Sequence, residues 1–388
     1  MTPRERMIVA LEGCRPDRVP VAPYIWGSEY TWKLLGVPIW QAQHGAFSAL
    51  DYCAGIQRRH DFDWVIPLGW GDGFLEGKQV VEDGGRVFIS EPATGRRWEY
   101  LLDGHRPVEL GANGEPAPER VIMPGVIETE APGTIAEVDA WFDRRGLDPA
   151  AQGLDAAAER APAALRALFP DHFLAAEVGA PFHPVCFALG FETALVMLHE
   201  APAAFCYMSE RFMTGLPATC RHLAANGFDA GMSCDSWASA DIISPDTYRN
   251  WIAPLHERVS DELHRAGLRG IFYNTGNVLP FLPVMKDMGW DAISVEERIK
   301  GVEIPIGDVR EAVGPRQCLF GNFDAYLLLR GDRQAIESEV QRHFDTAGRH
   351  GAFVMGTGSP ICDGTEPDAV DFWLDTVHRM FRYDGPAG

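Results

Sequence analysis

The sequence is poor in positive charge, and it lacks paired cysteine motifs and long apolar runs. Lysine and arginine total 34 against 55 aspartate and glutamate residues, which gives a formal net charge of -21 over 388 residues. Such a surface repels nucleic acids and anionic lipids, so we expect neither as a partner. The 8 cysteines are scattered without a CxxC pair, which favours reduced thiols over a disulfide framework. No apolar run reaches membrane-spanning length, and the charged start "MTPRERM" is not typical of a signal peptide, so we expect a cytoplasmic protein.

Short apolar runs that end in Gly, Pro, Asn or Asp recur along the chain and are typical of β-strands. They are "VPVAPYIW" (19–26), "FDWVIPLGW" (62–70), "FLAAEVGAPF" (173–182), "FDAGMSCDSW" (228–237), "GIFYNTGN" (270–277), "DAISVEER" (291–298), "CLFGNFDA" (318–325) and "GAFVMGTGSP" (351–360). Helix-like segments separate most of them, one of which begins with Ser244 as a predicted N-cap and Pro245 after it. Eight alternating βα units predict an α/β fold, a (β/α)8 TIM barrel, as a single domain over 1–388.

The spacing between the second and third runs is too long for one crossover connection. Residues 79–104 alternate in polarity around Asp83-Gly84-Gly85, which predicts a β-hairpin, and a third strand follows the turn at Thr94-Gly95. We therefore predict a small antiparallel β insertion over 75–125, after strand two of the barrel.

Polar side chains follow the predicted strands at their C-terminal ends, where barrels of this class place their active sites. Tyr273, Asp235 and His183 are the candidates for catalytic proton transfer. The candidates for substrate binding are Trp26, Trp237, Asn274, Thr275, Glu296, Asn322 and Ser359. Glu296 and its neighbour Glu297 point in opposite directions along a strand, so at most one of them faces the pocket. The aromatic N-terminal run predicts a flat or partly apolar small-molecule substrate.

The chain resembles the uroporphyrinogen decarboxylase (URO-D) superfamily along nearly its whole length. The resemblance rests on "MTPRERMIVALEGCRPDRVPVAPY", "GAPFHPVCFALGFETALVMLHEAPAAF", "DSWASADIISPDTYRNWIAPLHERV", "YNTGNVLPFLPVMKDMGWDAISVEE" and "LFGNFDAYLLLRGD". It implies a barrel enzyme and a homodimer. The superfamily contains porphyrinogen decarboxylases as well as corrinoid- or thiol-dependent methyltransferases, so the resemblance leaves the reaction open.

This chain departs from the patterns of both branches. The methyltransferase branch binds zinc through His-x-Cys-Gly-Asn after strand five and a Cys after strand eight, positions that here correspond to Tyr273, Thr275 and Ser359. Their neutral oxygens are poor zinc ligands, so we expect no zinc and no other cofactor. The decarboxylase branch grips substrate carboxylates with an arginine-bearing N-terminal segment, where this chain reads "APYIWGSEYTWKL". We therefore do not expect uroporphyrinogen as the substrate.

Three functions remain open on the sequence alone. The leading hypothesis is a metal-independent acid–base lyase, decarboxylase-like, which acts on a small, partly aromatic or apolar substrate. The second is a methyltransferase that works with a corrinoid protein or a thiol acceptor, and zinc held by Cys234, Cys362 and a histidine would overturn the first hypothesis. The third is a non-catalytic small-molecule binding protein that has kept the pocket.

Overall fold

The fold consists of a parallel sheet with its helices and a separate antiparallel sheet. The computed structural model describes residues 1–25, 29–45, 49–67, 74–101, 106–111, 114–115, 131–147, 163–299 and 301–383. The strands are β1 (Trp64–Val65), β2 (Gln79–Asp83), β3 (Arg86–Glu91), β4 (Arg96–Leu101), β5 (Arg106–Glu109), β6 (Phe173–Val178), β7 (Ala230–Cys234), β8 (Arg269–Asn274), β9 (Ala292–Val295), β10 (Arg298–Ile299), β11 (Val302–Glu303), β12 (Cys318–Phe320) and β13 (Phe353–Val354).

The helices lie mostly between the strands of the parallel sheet. They are α1 (Pro3–Leu11), α2 (Glu29–Leu35), α3 (Ile39–His44), α4 (Ala49–His60), α5 (Ile135–Arg145), α6 (163–168), α7 (His183–Leu189), α8 (Phe191–Glu200), α9 (Pro202–Phe212), α10 (Leu216–Ala225), α11 (Pro245–Thr247), α12 (Ala253–Arg265), α13 (Leu282–Met285), α14 (Ile306–Val313), α15 (Ala325–Arg330), α16 (Arg333–His343) and α17 (Pro367–Met380). The Ser244 hydroxyl accepts a hydrogen bond from Thr247 N at 3.1 Å, which confirms the predicted N-cap of α11. Among the described residues, no helix combines the length and apolar character that crossing a bilayer requires.

Seven strands form one curled parallel sheet in the order β1-β6-β7-β8-β9-β12-β13. The register pairs Cys234 of β7 with Tyr273 of β8. A Cβ atom at Gly231 would overlap the side chain of Leu263 in α12, so this position of β7 faces the helical layer. Because side chains alternate along a strand, Cys234 and Tyr273 point to the other, concave face. This alternation decides which site residues meet.

The N-terminal segment 19–25 forms hydrogen bonds beside both edges of this sheet. Asp63 N, next to β1, donates to Val21 O at 2.9 Å, and Ala22 N donates to Met355 O, next to β13, also at 2.9 Å. The predicted first strand is nevertheless reduced, in its described part, to a single isolated bridge between Val21 and Met355. Its two prolines have no N–H to donate, so a continuous ladder cannot form there.

The antiparallel sheet contains β2, β3, β4 and β5 in sequence order. Gly84 and Gly85 have φ values of 56° and 79°, the left-handed conformation that a two-residue hairpin turn requires. The hairpin predicted at this turn is therefore confirmed. The sheet has a small core of its own, formed by Ile39, Val87, Ile89, Trp98 and Tyr100. The bounds 75–125 predicted for the insertion, and the single domain over 1–388, stay predictions.

Candidate functional site

The side chains predicted for the site lie at or just beyond the C-terminal ends of the parallel strands, on two faces of the sheet. Asp235 immediately follows Cys234 and therefore points away from the concave face, towards the helices. Tyr273 points to the concave face. The structure thus places two of the predicted catalytic residues in different environments, and Trp26 lies outside the described residues.

Asp235 is fully buried between the β6–α7 loop and helix α12. Its Oδ2 accepts hydrogen bonds from Phe182 N at 3.0 Å and from His256 Nε2 at 2.9 Å. His256 is fully buried as well, and its Nδ1 lies 3.2 Å from the hydroxyl of Tyr248. Asp235 therefore ties a strand end to a loop and a helix. Sequence reasoning missed His256, whose only signal was its position in an amphipathic helix.

His183 lies next to Asp235 but is bonded to the backbone. Its Nε2 accepts a hydrogen bond from Ser236 N at 3.0 Å and is 3.8 Å from Asp235 Oδ1. Burial lowers the pKa of His183, and the charge of Asp235 opposes this in part. The imidazole is therefore neutral at neutral pH, with its Nε2 lone pair already in use.

An aromatic wall, formed by His183, Phe187, Phe191 and Trp237, surrounds this part of the site. The Trp237 ring centroid is 4.7 Å from that of His183, 5.1 Å from Phe187 and 5.4 Å from Phe191. Phe187 is 49% exposed and Phe191 is 37% exposed, although both rings are large and apolar. These rings offer flat apolar surface at the edge of the site, and sequence reasoning identified only Trp237 and His183 among them.

On the concave face, Tyr273 is almost fully buried, and its hydroxyl donates to Gly358 O at 2.8 Å. Its ring stacks on Tyr24 with a centroid distance of 4.4 Å. Burial raises the pKa of Tyr273 well above its ordinary value, so the phenol stays protonated. Ser359, predicted to lie near Tyr273, directly follows the carbonyl that accepts this hydrogen bond and is partly buried.

Three of the predicted binding residues hold the backbone of the strand-end loops. Thr275 Oγ1 donates to Ser236 O at 3.0 Å, and Asn274 Nδ2 donates to Ala238 O at 3.0 Å. The third is an asparagine that follows β12: Asn322 Nδ2 donates to Glu296 O at 2.9 Å and to Ile304 O at 2.7 Å. These bonds join the end of β8 to the loop after β7, and the residue that follows β12 to the segment after β9. Contact of these side chains with a substrate stays a prediction.

Glu296 and Glu297, which follow β9, have different surroundings. Glu296 Oε2 accepts a hydrogen bond from Gly276 N at 2.7 Å. Burial, together with the charges of Asp324 and Glu296, raises the pKa of Glu297 to about 8. Its buried Oε2 has no hydrogen-bond partner in the described part of the chain. Glu297 is therefore a carboxylic acid that keeps its proton at neutral pH, a property that the sequence did not reveal.

Glycine at position 358 leaves the space that this acid occupies. A Cβ atom at Gly358 would overlap Glu297 Oε2 and would lie 3.2 Å from Asn322 Cβ. The carbonyl of the same glycine accepts the hydrogen bond from Tyr273. Gly358 thus lies against both Tyr273 and Glu297, although the three residues come from three different strand ends.

The two thiols considered as metal ligands each lie near carboxyl groups. Burial raises the pKa of Cys234 to about 12, and Glu177 adds to the shift. Burial also raises the pKa of Cys362, and Glu297 adds to that shift. Protonated thiols are poor metal ligands. Across residues 1–383, apart from the gaps given above, no group of three or more His, Cys, Asp and Glu side chains is placed to hold a metal ion.

Two solved structures resemble the whole chain at low sequence identity. A methyltransferase from Methanosarcina mazei superposes with a TM-score of 0.68 at 17% identity, covering 98% of this chain and 99% of that protein. A B12-independent methionine synthase from Shewanella sp. W3-18-1 superposes with a TM-score of 0.50 at 10% identity, covering 93% of this chain and 98% of that chain. At these identities the likeness shows the fold alone.

Sequence comparison identifies the family. A uroporphyrinogen decarboxylase from Anaeromyxobacter sp. (strain Fw109-5) is 27% identical over 223 residues, which cover 56% of this chain and 62% of that protein. A uroporphyrinogen decarboxylase from Nocardia farcinica is 30% identical over 159 residues, which cover 40% of this chain and 42% of that protein. The chain thus spans less than two thirds of the length of these relatives. Because the family model "Uroporphyrinogen decarboxylase (URO-D)" matches residues 127–380, more than half of the chain, the resemblance is confirmed and this chain belongs to the URO-D family.

Proposed function

We propose that this protein is a metal-independent acid–base lyase, decarboxylase-like, which acts on a small, partly aromatic or apolar molecule. The observation that carries the proposal is Glu297, a carboxylic acid with a pKa raised to about 8 at a parallel strand end. Loss of CO2 leaves an electron pair on carbon that must receive a proton. An acid that is still protonated at neutral pH supplies that proton without a metal ion.

The neighbouring groups have roles that follow from their contacts. The Tyr273 hydroxyl donates a hydrogen bond to the carbonyl of Gly358 and so fixes the position of this glycine. Because Gly358 has no side chain, Glu297 can occupy the space next to it. We infer that Asp235 acts by positioning, since its carboxylate is bonded to Phe182 N and His256 on the side of the sheet away from Tyr273. The aromatic wall provides stacking surface for the apolar part of the substrate.

The concave site requires a closed sheet, and we infer that segment 19–25 closes it into an eight-stranded barrel. The support is the pair of backbone hydrogen bonds that join Val21 to Asp63 beside β1 and Ala22 to Met355 beside β13. Closure would place Tyr24, which stacks on Tyr273, inside the barrel.

Uroporphyrinogen itself fits this site poorly. Glu177 and Glu297 have no cationic hydrogen-bond or ion-pair partner among the described residues, and an ionised Glu177 would repel a carboxylate placed beside it. A substrate with many carboxylates would need to bury them near these groups, at a cost of several kcal/mol each. We therefore do not propose uroporphyrinogen, the substrate in the name of the two relatives, as the substrate of this chain.

Methyl transfer is the second candidate, because the same protonated Glu297 could protonate the leaving group of a methyl donor. The acceptor would then be a corrinoid protein or a thiol. The two functions differ in their products, since a lyase releases CO2 and a methyltransferase forms a methylated acceptor.

The test is a screen of small aromatic and branched carboxylic acids for CO2 release, run in deuterated water with a chelator present. We expect one compound class to release CO2 and to gain deuterium at the carbon that lost it. Glu297→Gln should reduce turnover by roughly 100-fold or more, and activity should fall above about pH 8 as the acid ionises. The control is Glu303→Gln, because Glu303 is exposed and pairs with Arg298. Full activity of Glu297→Gln, or methylated acceptors without CO2 release, would contradict the lyase proposal.

A further inference from the structure

Glu177 is an exposed carboxyl group in the middle of an otherwise buried strand. Five of the six residues of β6 are buried, and Glu177 alone is exposed. Interior strands of parallel sheets are normally apolar, and the core of a barrel is normally filled by packed side chains. Exposure at this position indicates open space next to the strand.

The open space lies on the concave face. Glu177 pairs with Met232 in the register of β6 and β7, and Met232 points to the same side as Cys234, two residues later. Burial nevertheless raises the pKa of Glu177. A carboxyl group that water reaches, but that protein atoms surround closely enough to shift its pKa, lies in a recess.

The recess has unused polar groups. Glu177 makes no hydrogen bond and no ion pair with the described residues. The hydroxyls of Tyr24 and Ser294 are fully buried, and no described side chain other than the two themselves offers them a hydrogen bond. Ser294 pairs with Tyr273 in the register, so it faces the same side, and Cys234 lies close to both Tyr24 and Glu177. The two hydroxyls are closed to solvent and close enough to bond each other, so Glu177 is the group of the recess that a ligand can reach.

We propose that Glu177 is a substrate-binding residue that receives the ammonium group of a small aromatic or apolar amino acid, whose carboxylate is the group lost as CO2. The charge follows from the surroundings: Glu177 and Glu296 both lie close enough to Cys234 to raise the pKa of its thiol, so this part of the site is acidic. An unpaired carboxylate in such a place favours a cationic group and repels an anionic one. The inference rests on the proposed function, because it names the substrate class of the same site.

The test compares three probes of similar size, 2-phenylethylamine, 2-phenylethanol and 3-phenylpropanoate, by calorimetric titration of the full-length protein at pH 7. We expect the amine to bind about tenfold or more tighter than the alcohol, and the carboxylate to bind weakest. Glu177→Gln should abolish the preference for the amine while it keeps the size of the side chain. The matched control is Glu200→Gln, which removes an exposed carboxylate at the end of α8 and should keep the preference.

Equal binding of the amine and the alcohol by the unmodified protein would overturn the inference, and so would an undiminished preference in Glu177→Gln. The comparison of the amine with the alcohol uses the unmodified protein, so its result does not depend on whether a variant folds. Release of CO2 and its loss in Glu297→Gln are measured separately. If the amine preference is absent while CO2 release persists, only the assignment of Glu177 fails and the lyase proposal stands.

Discussion

Two carboxyl groups from adjacent strands of the parallel sheet have opposite environments. Asp235, at the end of β7, points to the helical layer, is fully buried and accepts two hydrogen bonds through Oδ2. Glu177, in β6, points to the concave face, is exposed and has no partner among the described residues. Both are acidic residues in segments that the sequence predicts as strands. The alternation of side chains along the strands places them on opposite faces of the sheet.

The difference shows how a structural carboxylate can be told from one that is available to a ligand. A buried acceptor with several donors stabilises the fold, and removal of it leaves those donors unpaired. An unpaired carboxyl in a recess contributes little to stability and keeps its capacity for binding. Substitutions on the two faces should therefore have very different effects on stability, and the four predictions below follow that order.

The largest effect should come from Asp235→Ala. This substitution leaves Phe182 N and His256 Nε2 without their acceptor inside the protein, so we expect a loss of about 3–5 kcal/mol in the free energy of unfolding. Urea unfolding monitored by circular dichroism measures it. Asp235→Asn is the matched variant, because it keeps an acceptor oxygen and should lose less. A loss below about 1 kcal/mol in Asp235→Ala would mean that the carboxylate is not the structural anchor inferred here.

A smaller loss should follow Asn322→Ala. The amide of Asn322 holds Glu296 O and Ile304 O, and its Oδ1 lies 3.2 Å from His343 Nε2. Two buried carbonyls would lose their donor, so we expect a loss of about 2 kcal/mol, together with lower turnover because the loop that carries Glu297 would move. Asn322→Asp keeps the size but cannot donate. Unchanged stability in both variants would show that the loop is held by other contacts.

Glu297 should make stability depend on pH. Its pKa is raised from an ordinary value of 4.5 to about 8 in the folded protein, so between these values the unfolded state binds fewer protons than the folded state. Stability contributed by the protonated acid is therefore fully present below about pH 4.5 and is lost as pH rises towards 8. We expect this group to contribute a slope of up to about 1 kcal/mol per pH unit, reduced by its partial exposure.

The measurement is urea unfolding at several pH values between 5 and 8 for the unmodified protein and for Glu297→Gln. The difference between the two isolates Glu297 from the other titrating groups. Parallel stability curves would show that Glu297 is ionised in the folded state, and this would remove the basis of the lyase proposal.

The positions of the strand ends were predictable because the chain marks them with short-range signals. Gly276 directly follows Thr275 at the end of β8, and Gly84 and Gly85 adopt the left-handed backbone of a two-residue hairpin turn. The alternation of side chains also predicted that Glu296 and Glu297 point in opposite directions, and the two side chains have different surroundings. These features depend on neighbours within a few residues, so a single sequence contains them.

The environment of each site residue was not predictable, because it depends on residues that are distant in the chain. Asp235 is bonded to His256, 21 positions later, and the raised pKa of Glu297 depends on its burial and on the charge of Asp324. The first predicted strand does not form a continuous ladder, and the reason is local: its prolines have no N–H to donate, which the sequence alone could have shown. The sequence pattern predicted where the parallel strands end, and long-range packing determined which of the polar groups there are paired.

The smallest effect on stability should come from Glu177→Gln, on the concave face. No described partner is lost, so we expect a change within about 0.5 kcal/mol. Its sign follows from the raised pKa: the folded state disfavours the ionised form, so above the ordinary pKa of a carboxyl the neutral glutamine should stabilise the protein slightly, and this gain should vanish as pH falls below it. Urea unfolding at pH 4 and pH 7.5 checks both parts. A loss of about 2 kcal/mol or more would show that Glu177 is held by the fold as Asp235 is, and the contrast between the two faces of the sheet would disappear.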